Sequence, residues 1–304
     1  MNAGLPAWQR DPQLTASTTP APPRATPGIL KGGLDLSSLP WWAMILIATG
    51  AFLTYLILAS APYRETFVFL SEGILVTLRI TLIAYAIATF LGLVTGLART
   101  SKNVLLYTVS TLYVETGRGI PFIVLMLYIA FVAIPGAVGL IKGIGNWGLG
   151  LGTAGPLSIF QSLAEFSIRQ VNLEARAIIS LAIGYGAYEA EVFRAGIQSI
   201  GKGQVEAARS LGMNYFQAMR FIILPQAIRR VLPPLGNDFI SLLKDSSLAT
   251  VLAVRELTQL GRLRRASTFR VFETFNVLTF LYLSMTLMLS AVVRALERRL
   301  RIEE

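Results

Sequence analysis

The chain has 304 residues, with 27 Lys and Arg against 17 Asp and Glu, a formal charge of +10, no histidine and no cysteine. That double zero excludes His or Cys metal sites, a Ser-His-Asp triad, a thiol nucleophile, disulfides and zinc fingers. Hydrophobic residues make up 54% and charged residues only 14%, against about 25% charged in a soluble domain, which points to an all-α polytopic membrane protein. The Lys and Arg are spread between long apolar runs, so they flank membrane spans rather than build a nucleic-acid face.

Residues 1–40 hold half of the 14 prolines and no apolar periodicity, and are expected to form a disordered cytoplasmic tail. A membrane helix needs roughly 20 apolar residues. Uncharged runs of that order cover 41–63, 80–98, 119–141 and 274–293, the second reaching back to Gly73 if Arg79 is tolerated. Two more spans carry charge: 177–197, with Glu189 and Glu191, and 221–243, with Arg229, Arg230 and Asp238. The uncharged run 143–164 is glycine-dense. It is expected to be an irregular or re-entrant loop with a short helix near 157–166. A cytoplasmic N-terminus places 15 of the 27 Lys and Arg inside and 9 outside, the orientation that the positive-inside rule favours. The outward cluster from Arg255 to Arg270 opposes it.

Between the fourth and fifth spans lies a short helix bounded by glycines. Glu206 is expected in its first turn, with Arg209 as an i,i+3 neighbour. Gly212 suits a left-handed cap, and Asn214 with Gln217 forms a capping box for the next helix. Too short to span, this segment should lie along the cytoplasmic face. Inside the spans, charge is costly and should face partners or a water-filled path. Candidates are Arg79, Glu115, Arg118, Glu189, Glu191, Asp238, Lys244 and Asp245. Lys244 with Asp245, then Glu191 with Arg194, are the leading pairs for a structural or gating role. Pro233 and Pro234 should break the fifth span and free the carbonyls of Arg229 and Arg230. Gly92 and Gly96 form a GxxxG step suited to close helix contact.

Two strings invite catalytic readings. Residues 196–203 fit G-x-x-x-x-G-K but place Gly203 where Mg²⁺ ligation needs Ser or Thr. Ser241 and Lys244 fit S-x-x-K without companion motifs. An ion-driven secondary transporter is the alternative transport class, but no clear internal repeat is visible.

The segment Glu206-Ala207-Ala208, with Gly212 and then Ile223-Leu224-Pro225, resembles the EAA loop of bacterial ABC importer permeases. The likeness extends through Tyr188 to Ile197, Pro225 to Arg230, Pro233 to Asn237, and Ser241 to Ala249. Upstream, Arg118-Gly119-Ile120-Pro121 resembles an R-G-T-P segment, with Ile120 in place of Thr. Together these resemble the polar amino acid permease subfamily (histidine, glutamine, glutamate, arginine and opine type).

The resemblance implies a type I ABC importer permease fold, with a five-helix core and one extra N-terminal transmembrane helix at 41–63. It implies a permease domain over 66–300, an outward Gly-rich insertion at 136–172 and a cytoplasmic coupling loop at 201–217. Glu206, Ala207, Ala208, Arg209, Gly212, Leu224 and Pro225 would meet the ATPase. Arg79, Glu115, Arg118, Pro121, Glu191, Asn237, Asp238, Lys244 and Asp245 would line or gate the pathway. The implied partners are two cytosolic ABC ATPases, a second permease subunit, an extracytoplasmic substrate-binding protein and an amino acid. ATP and Mg²⁺ would bind the ATPase, leaving this chain without catalytic residues, metal or cofactor. The setting would be the bacterial inner membrane, with both termini cytoplasmic.

Overall fold

A computed structural model describes residues 41–150 and 157–300, where every regular element is helical. The expected 1–40 tail and part of the Gly-rich run lie outside the described residues. The chain divides into two compact units, 1–47 and 48–304. Of the first, only residues 41–47 are described, as the opening turns of α1 (Trp41–Ala59).

Proline and small polar residues set the helix breaks. Ser60 is extended and Pro62 opens α2 (Ala61–Ala98), where a missing N–H costs nothing. Asn103 caps α3 (Val104–Gly119) by accepting from the N–H groups of Leu105 and Leu106. Pro121 forces Ile120 out of the helical region and starts α4 (Phe122–Tyr128), so the span expected from 119 begins at Phe122. A π turn, Ile129–Ala133, leads into α5 (Ile134–Gly150). Then come α6 (Leu157–Glu165), α7 (Leu173–Gln198), α8 (Lys202–Ser210) and α9 (Tyr215–Ala218). After a second π turn, α10 (Leu224–Asp245) and a 3₁₀ segment lead to α11 (Leu257–Thr268) and α12 (Val271–Leu300).

Among the described residues, four helices are long and apolar enough to cross a membrane: Trp41–Ala59, Ala61–Ala98, Phe122–Gly150 and Val271–Arg299. Six spans were expected. The two charge-bearing ones, now α7 and α10, are long helices that fall outside this set. Leu75, Phe90, Leu140 and Met288 remain exposed on the apolar helices, a surface that suits lipid better than water.

The core is a small-residue seam. Ala84 and Ala88 of α2 meet Leu181 and Tyr185 of α7, with Met126, Leu242 and Leu252 closing the cluster. A Cβ at Gly92 would stand 2.7 Å from the Glu189 Cβ, and one at Gly96 would stand 2.8 Å from the Ala190 carbonyl oxygen. The GxxxG step therefore brings the α2 backbone against α7.

Two expectations are corrected. The glycine-dense run is helical to Gly150, because Gly145 and Gly148 face α6: a Cβ there would lie 2.3 Å from the Ala164 nitrogen and 2.0 Å from Phe160. Nor do Pro233 and Pro234 break α10. Packing carries it through, since Val231 and Leu235 are buried against Phe193, and the Tyr85 hydroxyl donates to the Leu235 carbonyl at 3.0 Å.

The arginine cluster from Arg255 to Arg270 is partly neutralised. Arg264 and Arg270 both reach Glu65, at 3.2 and 3.0 Å. Fully buried Glu256 caps α11. It accepts from the N–H groups of Thr258 and Gln259 at 2.8 Å and from the Tyr282 hydroxyl at 3.0 Å. Burial outweighs these bonds and pushes its carboxyl up to about 7.

Two predictions follow from this packing. Gly92→Leu or Gly145→Leu should lower the unfolding temperature in detergent by forcing helices apart, at about 2–3 kcal/mol. Gly143→Ala, where a Cβ meets nothing within 4 Å, should be neutral or stabilising. The raised Glu256 pKa means that the folded state holds a proton which the unfolded state has already lost. Stability should therefore fall as pH rises from 4.5 to 7, by up to about 3 kcal/mol, and level off outside that window. Thermal melts of Glu256→Gln across that range should lose this slope.

Candidate functional site

Two groups of residues meet at the end of α7, and the first is the loop from α8 to α9. Helix α8 closes in a Schellman turn: Gly212 N–H donates to the Arg209 carbonyl at 2.9 Å, and Met213 N–H to the Ala208 carbonyl at 3.1 Å. Gly212 takes φ +78°, where a side chain would be strained. The expected capping box is present: Asn214 and Gln217 exchange backbone-to-side-chain bonds, both at 2.9 Å. One detail differs. Gly201 is the N-cap, so Glu206 lies beyond the first turn of α8, and no ion pair joins it to Arg209.

Ala208 is buried, while Glu206, Ala207, Arg209 and Gly212 are exposed. Leu211 at 78% and Phe216 at 81% exposure add apolar surface to this polar segment. The loop is mounted firmly. Ile200, Ile223 and Ala227 form one buried cluster with Ile197 and Met219 beside it. The Arg230 guanidinium donates to the Ser199 carbonyl at the end of α7. Leu224 and Pro225 open α10 beside that cluster.

The second group is an ion cluster around Glu191. It receives Arg99 from the end of α2 at 2.8 Å, Arg118 of α3 at 4.0 Å, and Arg194 one turn along α7. Arg99 also reaches Glu115 at 3.2 Å, and Arg118 lies over the Tyr188 ring at 5.9 Å. Three predicted residues, Glu115, Arg118 and Glu191, are thus brought together. Arg99, seen in the sequence only as a flanking charge, is the residue that joins them. Its signal was its place one residue after an uncharged run, where an arginine can fold back onto the helix end.

The other predicted residues lie elsewhere. Arg79 pairs with Glu174 at 2.7 Å near the opposite end of α7. Those 17 residues to Glu191 correspond to about 25 Å of helix. Pro121 is the N-cap of α4. Lys244 and Asp245 do not pair with each other: Asp245 accepts the Tyr185 hydroxyl at 2.7 Å, while Lys244 is exposed. Asn237 is exposed on α10. Asp238 Oδ2, both Glu189 oxygens and the Thr89 hydroxyl are buried without a hydrogen-bond partner among the described residues.

Residues 196–203 are the end of α7 and the start of α8, not a strand-to-helix phosphate loop. Ser241 and Lys244 share no hydrogen bond. Among the described residues, no three acidic, His or Cys side chains converge on a metal site.

Residues 88–302 match the family described as "Binding-protein-dependent transport system inner membrane component". The chain is 35% identical over 233 residues to the glutamine transport system permease protein GlnP of Escherichia coli K12, covering 77% of this chain and 93% of that one. It is 34% identical over 239 residues to the probable glutamine ABC transporter permease protein GlnP of Bacillus subtilis, covering 78% and 95%. Among solved structures, an amino acid ABC transporter crystallised with histidines is similar, with 32% identity, TM-score 0.62, and 80% and 98% coverage. The MetNI methionine ABC transporter shares the fold at 20% identity and TM-score 0.57, covering 77% of this chain and 97% of that one.

Removing the central acid leaves three guanidinium groups facing one another. Glu191→Gln should therefore cost about 1–3 kcal/mol of stability. In a double-mutant cycle with Arg99→Met, thermal unfolding should show less than the sum of the two single losses.

Proposed function

Because the chain belongs to the family of binding-protein-dependent transport system inner membrane components, we propose that it is the permease subunit of an ATP-driven importer of amino acids. The relatives named above, two of them glutamine permeases, support a polar amino acid as cargo. The chain itself carries no catalytic residue, and ATP with Mg²⁺ is bound and hydrolysed on a separate chain.

The observation that carries the reading is the α8 loop. A nine-residue helix, ended by a left-handed glycine, presents Glu206, Arg209 and Leu211 on a mount fixed to α7 and α10. A partner that pushes α8 moves both long helices, which is the lever that alternating access needs. We assign Glu206, Ala207, Ala208, Arg209, Gly212, Leu224 and Pro225 to the contact with a cytosolic ATPase.

In the full assembly, two ATPases and two permease subunits work with an extracytoplasmic binding protein that delivers cargo. Both termini then lie in the cytoplasm of a bacterial cell, and 136–172 lies outside. Along the pathway, an amino acid needs an acceptor for its ammonium and a donor for its carboxylate. Asp238 with Asn237 and Lys244 on α10 supply both signs, and Asp245 is held ready by Tyr185. Arg118, Glu115 and Glu191 act as a gate near the α8 end, while Arg79 and Pro121 border the other segments of the path.

The test is uptake of radiolabelled amino acid into liposomes holding the permease, its ATPase and its binding protein. Glu206→Ala and Gly212→Val should cut ATP-dependent uptake at least about tenfold, the latter through roughly 1–2 kcal/mol of left-handed strain, while the permease stays assembled. Uptake that persists without ATPase would overturn the proposal.

A further inference from the structure

A cavity of about 420 Å³ opens between α7 and α10, beside the ion cluster. Its walls are short and apolar: Ala195, Gly196 and Pro234. Its polar lining is Arg230, Ser199 and Glu191. The volume lies within the range of small-ligand sites, about 300–1,000 Å³.

Within the lining Arg230 and Glu191 balance, and the positive surplus comes from the ion cluster next to it. Glu191 is already matched by Arg99 and Arg194, with Arg118 at 4.0 Å. Counting Arg99, Arg118, Arg194 and Arg230 against Glu115 and Glu191 gives 4 − 2 = +2. Arg230 donates to the Ser199 carbonyl through one nitrogen, and a guanidinium has five N–H donors in a planar fork. The free edge of that fork matches a phosphate oxygen pair.

Depth agrees with this chemistry. Arg230 lies six residues into α10, about 9 Å from its start, and Ser199 is the C-cap of α7. If α7 ends at the cytosolic surface, the cavity sits where headgroups meet acyl chains. A basic pocket between helices at that level binds anionic headgroups.

We propose that this cavity is a phosphate-type oxyanion site, filled by the headgroup of an anionic phospholipid or by free phosphate, with Arg230 as the principal ligand. The inference rests on the reading that α8 lies at the cytosolic face. Occupancy would wedge the end of α7 against α10, next to the lever that moves both.

The probe is phosphatidylglycerol, titrated into the purified importer and followed by native mass spectrometry, with phosphatidylcholine as the neutral control. Phosphatidylglycerol should be retained in preference. Arg230→Gln should weaken retention about tenfold, with Arg230→Lys intermediate and Arg229→Gln unchanged. Arg230→Gln also removes the bond to Ser199, so Ala195→Leu serves as the second variant: it narrows the cavity, keeps every charge, and should also weaken retention. Displacement of the lipid by millimolar inorganic phosphate would identify a free oxyanion site, and resistance to phosphate would identify a lipid site. Equal retention of phosphatidylcholine overturns the proposal. So does an Arg230→Gln variant that behaves like Arg229→Gln, or an Ala195→Leu variant that retains lipid fully. Lipid retention does not depend on ATP, so failure of the transport reading would leave this measurement untouched.

Discussion

Everything in this fold hangs on how closely α2 approaches α7. Gly92 and Gly96 allow backbone contact along that seam, and Gly186 returns it from the other side, where a Cβ would meet the Leu91 Cβ at 3.1 Å. In a lipid environment there is no hydrophobic drive between helices, so dispersion at such seams and hydrogen bonds between side chains must hold them. The seam ends at Arg99, which leaves the last turn of α2 and reaches Glu191 across it. Packing thus sets the distance, and the ion pair fixes the register of one helix on the other.

That register reaches the surface loop without slack. Helix α7 is continuous from Leu173 to Gln198. Its last carbonyls are taken by the C-cap and by Arg230 from α10. Three residues later α8 begins, and it stops where Gly212 reverses the chain. A force on α8 therefore acts on α7 and α10 together. Moving α7 against α2 and α3 would separate the partly hydrated charges of the Glu191 cluster, which lies between seam and loop.

Helices α3 and α11 went unread, whereas the long apolar helices and the caps around Gly212 were legible in the sequence, because glycine, asparagine and glutamine act locally. Contacts between distant segments were not. Gly145 and Gly148 read as breakers by propensity, yet they are the surface on which α6 packs. Pro233 and Pro234 read as a break, yet burial of Val231 and Leu235 keeps α10 whole. Of the interior charges, Glu191 with Arg194 was visible at i,i+3 spacing. Arg99 and Tyr185 were not, since each meets its partner across 60 residues or more of chain. Local chemistry predicts ends and turns, while tertiary burial decides where a propensity is overruled.

The missing histidine and cysteine now have a sharper consequence. No side chain has an unperturbed pKa near neutrality, so a proton-linked response can come only from a carboxylate displaced by burial. Glu256 is such a group, and it stands where α2, α11 and α12 meet. Its oxygens cap α11 and accept from Tyr282 of α12, while the next residue's N–H donates to Thr77 of α2 at 3.2 Å. Loss of its proton would put a full negative charge on that junction. What makes the buried acid tolerable is the set of donors around it, the N–H groups of Thr258 and Gln259 and the Tyr282 hydroxyl.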